Sequence, residues 1–381
     1  MLVAINKEDK QIHANQIIKR HEEEYRCPAC RKRVIYRSGP RTIPHFAHQT
    51  KGNCQAATES ETADHLSGKN NLYRWLRSCQ LDVELEKYIA IIKQRPDIYV
   101  KRKNQYYAIE YQCSSIHEEL FLKRTKGYLD ADVVPIWIFH SHFIKRNGVY
   151  LWRLNSLLKS ALRKSSSPFL LFHNPKQANS ILAFVNIIPV SIEQCFGQMV
   201  LLSEGMGLES ILSPPKQEIP YLNDWFKKRT LQLMNEIRFK GLQSKLIKEL
   251  YQVGISPFKI PEFVGVPLLS GCMYGMPATV WQGLIYIDLL NCFNLHGRIS
   301  EAWIRSRFLE RIKKKDIILN QCPLMSQDIF TALKEYLRFL EKIDYLEKID
   351  VNHYIIREDF ILDDHFEEII KLRLFDFYEG N

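Results

Sequence analysis

RPDIYVKRKNQYYAIEYQ, residues 95–112, places an aspartate at the head of one apolar-aromatic run and a glutamate near the end of the next. The runs 97–100 and 106–112 alternate in the manner of strands, and the polar tip 101–104 between them predicts a β-hairpin. With Arg102-Lys103 as a two-residue loop, Asp97 falls opposite Ala108, and the strand period of two puts Glu110 and Gln112 on the same face as Asp97. The other face collects Ile98, Val100, Ile109, Tyr111 and Cys113, a core face. Two carboxylates at diagonal cross-strand positions are near enough to share one hard divalent cation, which prefers oxygen ligands. A surface hairpin with solvated acids is the plainer alternative. Against it, Asp and Glu are poor strand formers, and here they sit inside β-branched and aromatic runs, a placement that asks for a reason.

Outward from the hairpin, residues 59–79, ESETADHLSGKNNLYRWLRSC, read as one helix. Leu72, Trp75, Leu76 and Cys79 form its apolar stripe, and Glu61, His65 and Lys69 continue that row in four-residue steps, which aims a polar end of the helix at the sheet. Taken alone, Glu61 and Lys69 are better explained as charges on a solvated helix face. Residues 83–89 alternate as a strand. After the hairpin, 115–129 opens on a capping-box pattern from Ser115 to Glu118 and carries Leu120, Phe121, Arg124 and Tyr128 along one side. A buried strand at 133–139 follows, so the order is helix, three strands, helix, strand.

The first 57 residues form a separate small module. Cys27-Pro28-Ala29-Cys30 is a C-x-x-C turn, and Cys54 with His45 or His48 would complete a tetrahedral zinc set, a zinc-knuckle-like arrangement. About fifty residues bury little core, so a metal would help the module fold. A reduced thiol pair beside a turn, with ordinary hydrogen-bonding histidines, is the other reading.

These residues carry a resemblance. An acid on the first helix, P-D opening the second strand and E-x-Q closing the third resemble the core of the PD-(D/E)XK nucleases. More closely, CPAC, HFAH, ESETADHLSGK, RPDIYV, AIEYQCS, RTKGY and PIWIFH are similar to the competence protein CoiA family, over residues 1 to 140. The resemblance implies a DNA-processing protein of natural transformation, acting on incoming DNA in homologous recombination as a nuclease dependent on Mg²⁺ or Mn²⁺. It makes Asp97 and Glu110 the metal carboxylates, Glu61 the helix acid and His65 a pocket residue. Gln112 stands where the superfamily uses a lysine, and a neutral amide supplies no positive charge to a phosphate. Lys69 and Lys123 on the neighbouring helices are the replacements at hand. Arg124 and Tyr128, one turn apart, would face the phosphodiester, though a packing role serves Tyr128 equally.

Composition sets the outer bounds. The chain has 381 residues, 46% of them hydrophobic and 25% charged, enough for two or three domains with sizeable cores. A net charge of +10 favours a polyanionic partner, nucleic acid before membrane. Nine cysteines scattered along the chain argue against a disulfide framework. Neither a signal peptide nor a membrane span is expected, because the start lacks a basic region followed by an apolar run and the window 277–293 is interrupted by Gln282 and Asp288. That predicts a cytoplasmic protein.

The fold class expected is an α/β restriction-endonuclease-like core at 58–155, preceded by the module at 1–57 and followed by a mainly α-helical domain at 156–381. A Pro-rich linker at 213–220 leads into amphipathic segments near 221–253, 277–293, 300–315 and 326–347. The basic clusters 227–229 and 311–315 offer phosphate contacts or solvated faces. Trp225, Trp281 and Trp303 offer base stacking or core packing. Three functions fit: a nuclease on single-stranded or branched DNA, a non-catalytic DNA-binding recombination mediator, or a scaffold that recruits recombinase.

Overall fold

The computed structural model describes residues 1–17, 24–40, 42–49, 54, 62–177, 180–326, 328–357 and 366–379. The chain divides into two compact units, one made of Met1–Ile144, Leu170–Phe184 and Met199–Pro215, the other of Lys145–Phe169, Val185–Gln198 and Lys216–Asn381.

The first unit opens with a five-stranded antiparallel sheet built from β1 (Val3–Ile5), β2 (Gln11–His13), β3 (Tyr25–Arg26), β4 (Arg33–Gly39) and β5 (Thr42–His48), in the order β2-β1-β3-β4-β5. Its described core is thin: Met1, Ala4, Ala14, Tyr25, Cys27, Val34, Phe46 and Cys54.

Helix α1 (Ala63–Ser78) begins where the Thr62 hydroxyl accepts from the His65 N–H at 3.2 Å. Its buried row is His65, Leu66, Gly68, Lys69, Leu72, Trp75 and Leu76, the helical spacing read from the sequence. Gly68 is required by a close approach: a Cβ there would stand 2.0 Å from a ring carbon of Tyr111. The helix therefore lies directly on the sheet, and His65 and Lys69, flanking that contact, reach the strand ends.

The mixed sheet beneath it comprises β6 (Asp82–Leu85), β7 (Ile98–Arg102) and β8 (Gln105–Gln112), antiparallel, and then β9 (Val133–His140), parallel to β8. Helix α2 (Glu118–Asp130) makes the crossover that a parallel pair demands. β9 pairs in turn with the parallel strand Pro168–His173. The expected hairpin forms, with one correction. Arg102 pairs with Gln105, so the loop is Lys103-Asn104 rather than Arg102-Lys103, and Ile98 pairs with Ile109, which sets Asp97 beside Glu110 instead of Ala108. Lys103 absorbs the turn in a left-handed conformation, φ 52°. The capping box expected at Ser115 is absent. His117 is the N-cap and makes no side-chain cap bond.

In the second unit, helices Leu222–Asn235, Lys245–Gln252, Ala278–His296, Glu301–Lys313 and Thr331–Lys342 contribute to one apolar core with Trp225, Trp281 and Tyr336 among its largest side chains. Trp225 and Trp281 are therefore packing residues. Both basic clusters lose an arginine to the interior: Arg229 donates to the Val264 and Pro261 carbonyls at 2.6 Å, and Arg311 is held by Asp288 and Glu249. Strands Pro168–His173, Ser180–Pro189 and Gln194–Ser203 occupy a stretch read from the sequence as part of a mainly helical region. Among the described residues, no helix is long and apolar enough to cross a membrane.

Candidate functional site

Leu85, Ile98 and Ile109 form one cross-strand row through β6, β7 and β8. The next residue on each strand is an acid: Glu86, Asp97 and Glu110. The Glu86 N–H donates to the Asp97 carbonyl at 3.0 Å, continuing the ladder by one step. All three carboxylates are enclosed, with side-chain exposures of 1%, 15% and 8%. Burying one carboxylate without a partner is costly, and each of these has a positive group against it.

Asp97 lies among three donors. Its Oδ1 accepts from Lys69 Nζ at 3.3 Å, and its Oδ2 sits 3.2 Å from His65 Nε2 and accepts from the Tyr111 N–H at 2.9 Å. Burial alone would raise its pKa, but the charges of His65 and Lys69 and the hydrogen bonds outweigh it and hold the carboxyl well below the usual range. Glu110 accepts from Arg124 and from the Tyr128 hydroxyl. Its pKa is pushed up by burial, against the pull of Arg124, with the Asp97 charge adding to the rise. Burial and Glu110 together push the Tyr128 hydroxyl far up, so it stays a donor at neutral pH.

These opposite shifts give an expected titration. Carbon-13 spectra should show Asp97 still ionised at about pH 3, below the ordinary aspartate value of about 3.9, while Glu110 takes its proton above the ordinary glutamate value. Asp97, depressed in the fold, contributes stability that is present above its unfolded pKa and lost as pH falls through the folded one. Glu110, raised in the fold, contributes stability that is full below its unfolded pKa and lost as pH rises through the folded one. A single shared transition for the two carboxyls would contradict this electrostatic picture.

The other expected residues are placed as follows. Gln112 is buried, and its Nε2 donates to the Ser114 carbonyl at 2.8 Å. Of the four residues expected to contact DNA, Lys69, Arg124 and Tyr128 are buried against acids, and Lys123 is exposed. Between the two replacement lysines, Lys69 is the one beside Asp97. Glu61 lies outside the described residues. Glu86 escaped the sequence reading, which had it in the middle of an alternating strand at 83–89, whereas β6 ends at Leu85; its meaning comes from Lys69, whose Nζ is 2.5 Å from its Oε1.

A second cluster stands in the N-terminal sheet. Cys27, Cys30, His48 and Cys54 offer ligand atoms that all lie within 4.8 Å of one another. Cys27 Sγ is 3.9 Å from Cys54 Sγ, and Cys30 Sγ is 3.3 Å from His48 Nε2. Zn–S bonds of about 2.3 Å in a tetrahedron put sulfurs about 3.8 Å apart, so the set fits one zinc-sized ion. The choice left open between the two histidines falls on His48. His45 Nδ1 lies 2.8 Å from the Ile43 carbonyl instead.

Residues 61–216, which carry this mixed sheet, its flanking helices and the row of enclosed acids, match the family model described as competence protein CoiA, nuclease-like domain. Residues 8–57 match the CoiA N-terminal domain and residues 221–370 the CoiA C-terminal domain. "Competence protein CoiA" of Bacillus subtilis (strain 168) is 28% identical over 349 residues, covering 90% of this chain and 92% of that protein. The chain belongs to the competence protein CoiA family. No solved structure matches it.

Proposed function

We propose that the nuclease-like domain, with a PD-(D/E)XK type of site, cleaves phosphodiester bonds in DNA taken up during competence, using Mg²⁺ or Mn²⁺ held by Asp97 and Glu110. The observation that carries this reading is the row of three acids, Glu86 and Glu110 buried and Asp97 half-buried between them, each facing a cation. The donor chemistry fits a hard ion. Both acids offer oxygen, the ligand atom a hard ion prefers, and a bound ion would compete for them with Lys69 and Arg124. A bound ion would supply a more acidic water and charge against the phosphate. The chain supplies the rest: Lys69 brings positive charge beside Asp97 where Gln112 brings none, and His65 and the Tyr111 N–H orient the Asp97 carboxylate. Glu61, which lies outside the described residues, is the third acid of this proposal.

The test is cleavage of labelled single-stranded, duplex and flap DNA with and without Mg²⁺ or Mn²⁺. Asp97→Asn should lower the rate at least about a hundredfold, the scale of losing one well-placed electrostatic group. Equal rates in wild type and variant would exclude this site.

A second reading is a domain that binds DNA without cutting it. The engagement of Glu110 by Arg124 and Tyr128, and of the Gln112 amide by Ser114, favours it. Under this reading wild type binds DNA with steep salt dependence in the absence of divalent ions, and Asp97→Asn binds equally well. In either case Cys27, Cys30, His48 and Cys54 hold a structural zinc in our proposal.

A further inference from the structure

Glu86 is 1% exposed and sits at φ 52°, a left-handed conformation that costs a residue with a Cβ about 1 kcal/mol or more. Such strain persists where surrounding contacts impose it. Its Oε1 accepts from the Leu2 N–H at 2.9 Å and from Lys69 Nζ at 2.5 Å, and its Oε2 accepts from the Val3 N–H at 3.3 Å. β1 thus clamps the carboxylate from one side while Lys69, 0% exposed, meets it from the other. The same ammonium is 3.3 Å from Asp97, so Lys69 is shared between two acids and lies nearer to Glu86. A second tie runs alongside: Gln11 Nε2, on β2, donates to the Leu85 carbonyl at 3.0 Å, one residue before Glu86.

We propose that Glu86 is a positioning residue of the Asp97 site, holding the Lys69 ammonium partly away from Asp97, and that the N-terminal sheet completes this site through the backbone N–H groups of Leu2 and Val3. The functional weight of this proposal rests on Asp97 being a site acid, as argued above. The physics is a competition. An ammonium bound wholly by Asp97 would neutralise it and block a further positive partner, whereas one drawn toward Glu86 leaves Asp97 with lone pairs to share. Without its charge, position 86 loses that hold, and Lys69 collapses onto Asp97.

The experiment is nitrogen-15 NMR of the lysine ammonium groups in the full chain, with the Lys69 signal assigned by its disappearance in Lys69→Met. In wild type a buried, doubly paired ammonium gives a slowly exchanging signal. Glu86→Gln, of the same shape, is expected to shift that signal and speed its hydrogen exchange about tenfold, the loss of one charge-assisted bond. Backbone amide signals of β8 and β9 should stay in place, which a general loss of structure would not allow. A Lys69 signal unchanged in Glu86→Gln overturns the proposal. Should that variant fail to fold, Glu86→Asp, one methylene shorter, makes the same comparison, and an unshifted signal again overturns it. Absence of DNA cleavage by wild type would bear on the reading of Asp97 and Glu110 and would leave this ammonium measurement decisive for Glu86.

Discussion

Lys69→Met is expected to destabilise the unit that carries it by about 3–5 kcal/mol, the scale of removing one partner from a buried ion pair. Lys69 is 0% exposed, and two enclosed acids, Glu86 and Asp97, share its ammonium. Methionine fills the volume and leaves both carboxylates facing one another without their common cation. Urea denaturation should report the loss as a lower midpoint at unchanged slope. The double variant Lys69→Met with Glu86→Gln should recover at least about 1 kcal/mol, since it removes one of the two stranded charges. Acidification should cost the single variant less than wild type. Without Lys69, Asp97 loses one of the charges that hold its carboxyl pKa down, so the variant has less stability to lose as pH falls than wild type. A loss below about 1 kcal/mol in the single variant would mean that the acids do not depend on this lysine.

The second large effect concerns the cysteines. One zinc per chain is expected in purified protein, and its removal by a chelator should unfold the N-terminal sheet, because metal binding in such modules contributes folding free energy on the order of 10 kcal/mol. The apolar cluster around the cysteines has eight buried side chains, too few to compensate. Hydrogen exchange would show protection lost between β4 and β5 and kept between β8 and β9. His48→Ala should lower the zinc content and His45→Ala should not, because only His48 stands against Cys30. Full protection of β4 and β5 after chelation would exclude a structural role for the metal.

Much of the site was legible because alternation survives errors of register. Parity assigns Asp97 and Glu110 to same-face positions whether Asp97 opposes Ala108 or Glu110, while their side-chain partners come from different helices, His65 and Lys69 of α1 for Asp97 and Arg124 and Tyr128 of α2 for Glu110. The loop itself was misplaced by one residue because KRKN contains no glycine, and Lys103 takes the left-handed position without a sequence signal. The four-residue steps read from the sequence aimed Glu61, His65 and Lys69 at the sheet, and the two described members, His65 and Lys69, meet Asp97. Glu86 was not legible. Its partners lie 17 residues away at Lys69 and 84 away at Leu2, distances over which local patterning carries no information. The strands between 168 and 203 were missed for a different reason: FLLF is a continuous apolar run and ILAFVNII is broken only by Asn186, and buried strands of that kind have no period to read. Between His45 and His48 spacing was neutral, and the β4–β5 pairing of Val34 with His48 decided it.

The clamp of Leu2 and Val3 on Glu86 also has a bearing on biosynthesis. At translation rates of roughly 5–20 residues per second, Glu86 follows Leu2 out of the ribosome by about 4–17 s, as the 84-residue separation requires. During that interval the backbone donors of the nascent first strand have no carboxylate to meet, and Lys69, made before either of its acids, stays hydrated. The clamp cannot close before residue 86 has been synthesised, so a ribosome stalled earlier would hold a chain whose first strand still lacks its carboxylate partner.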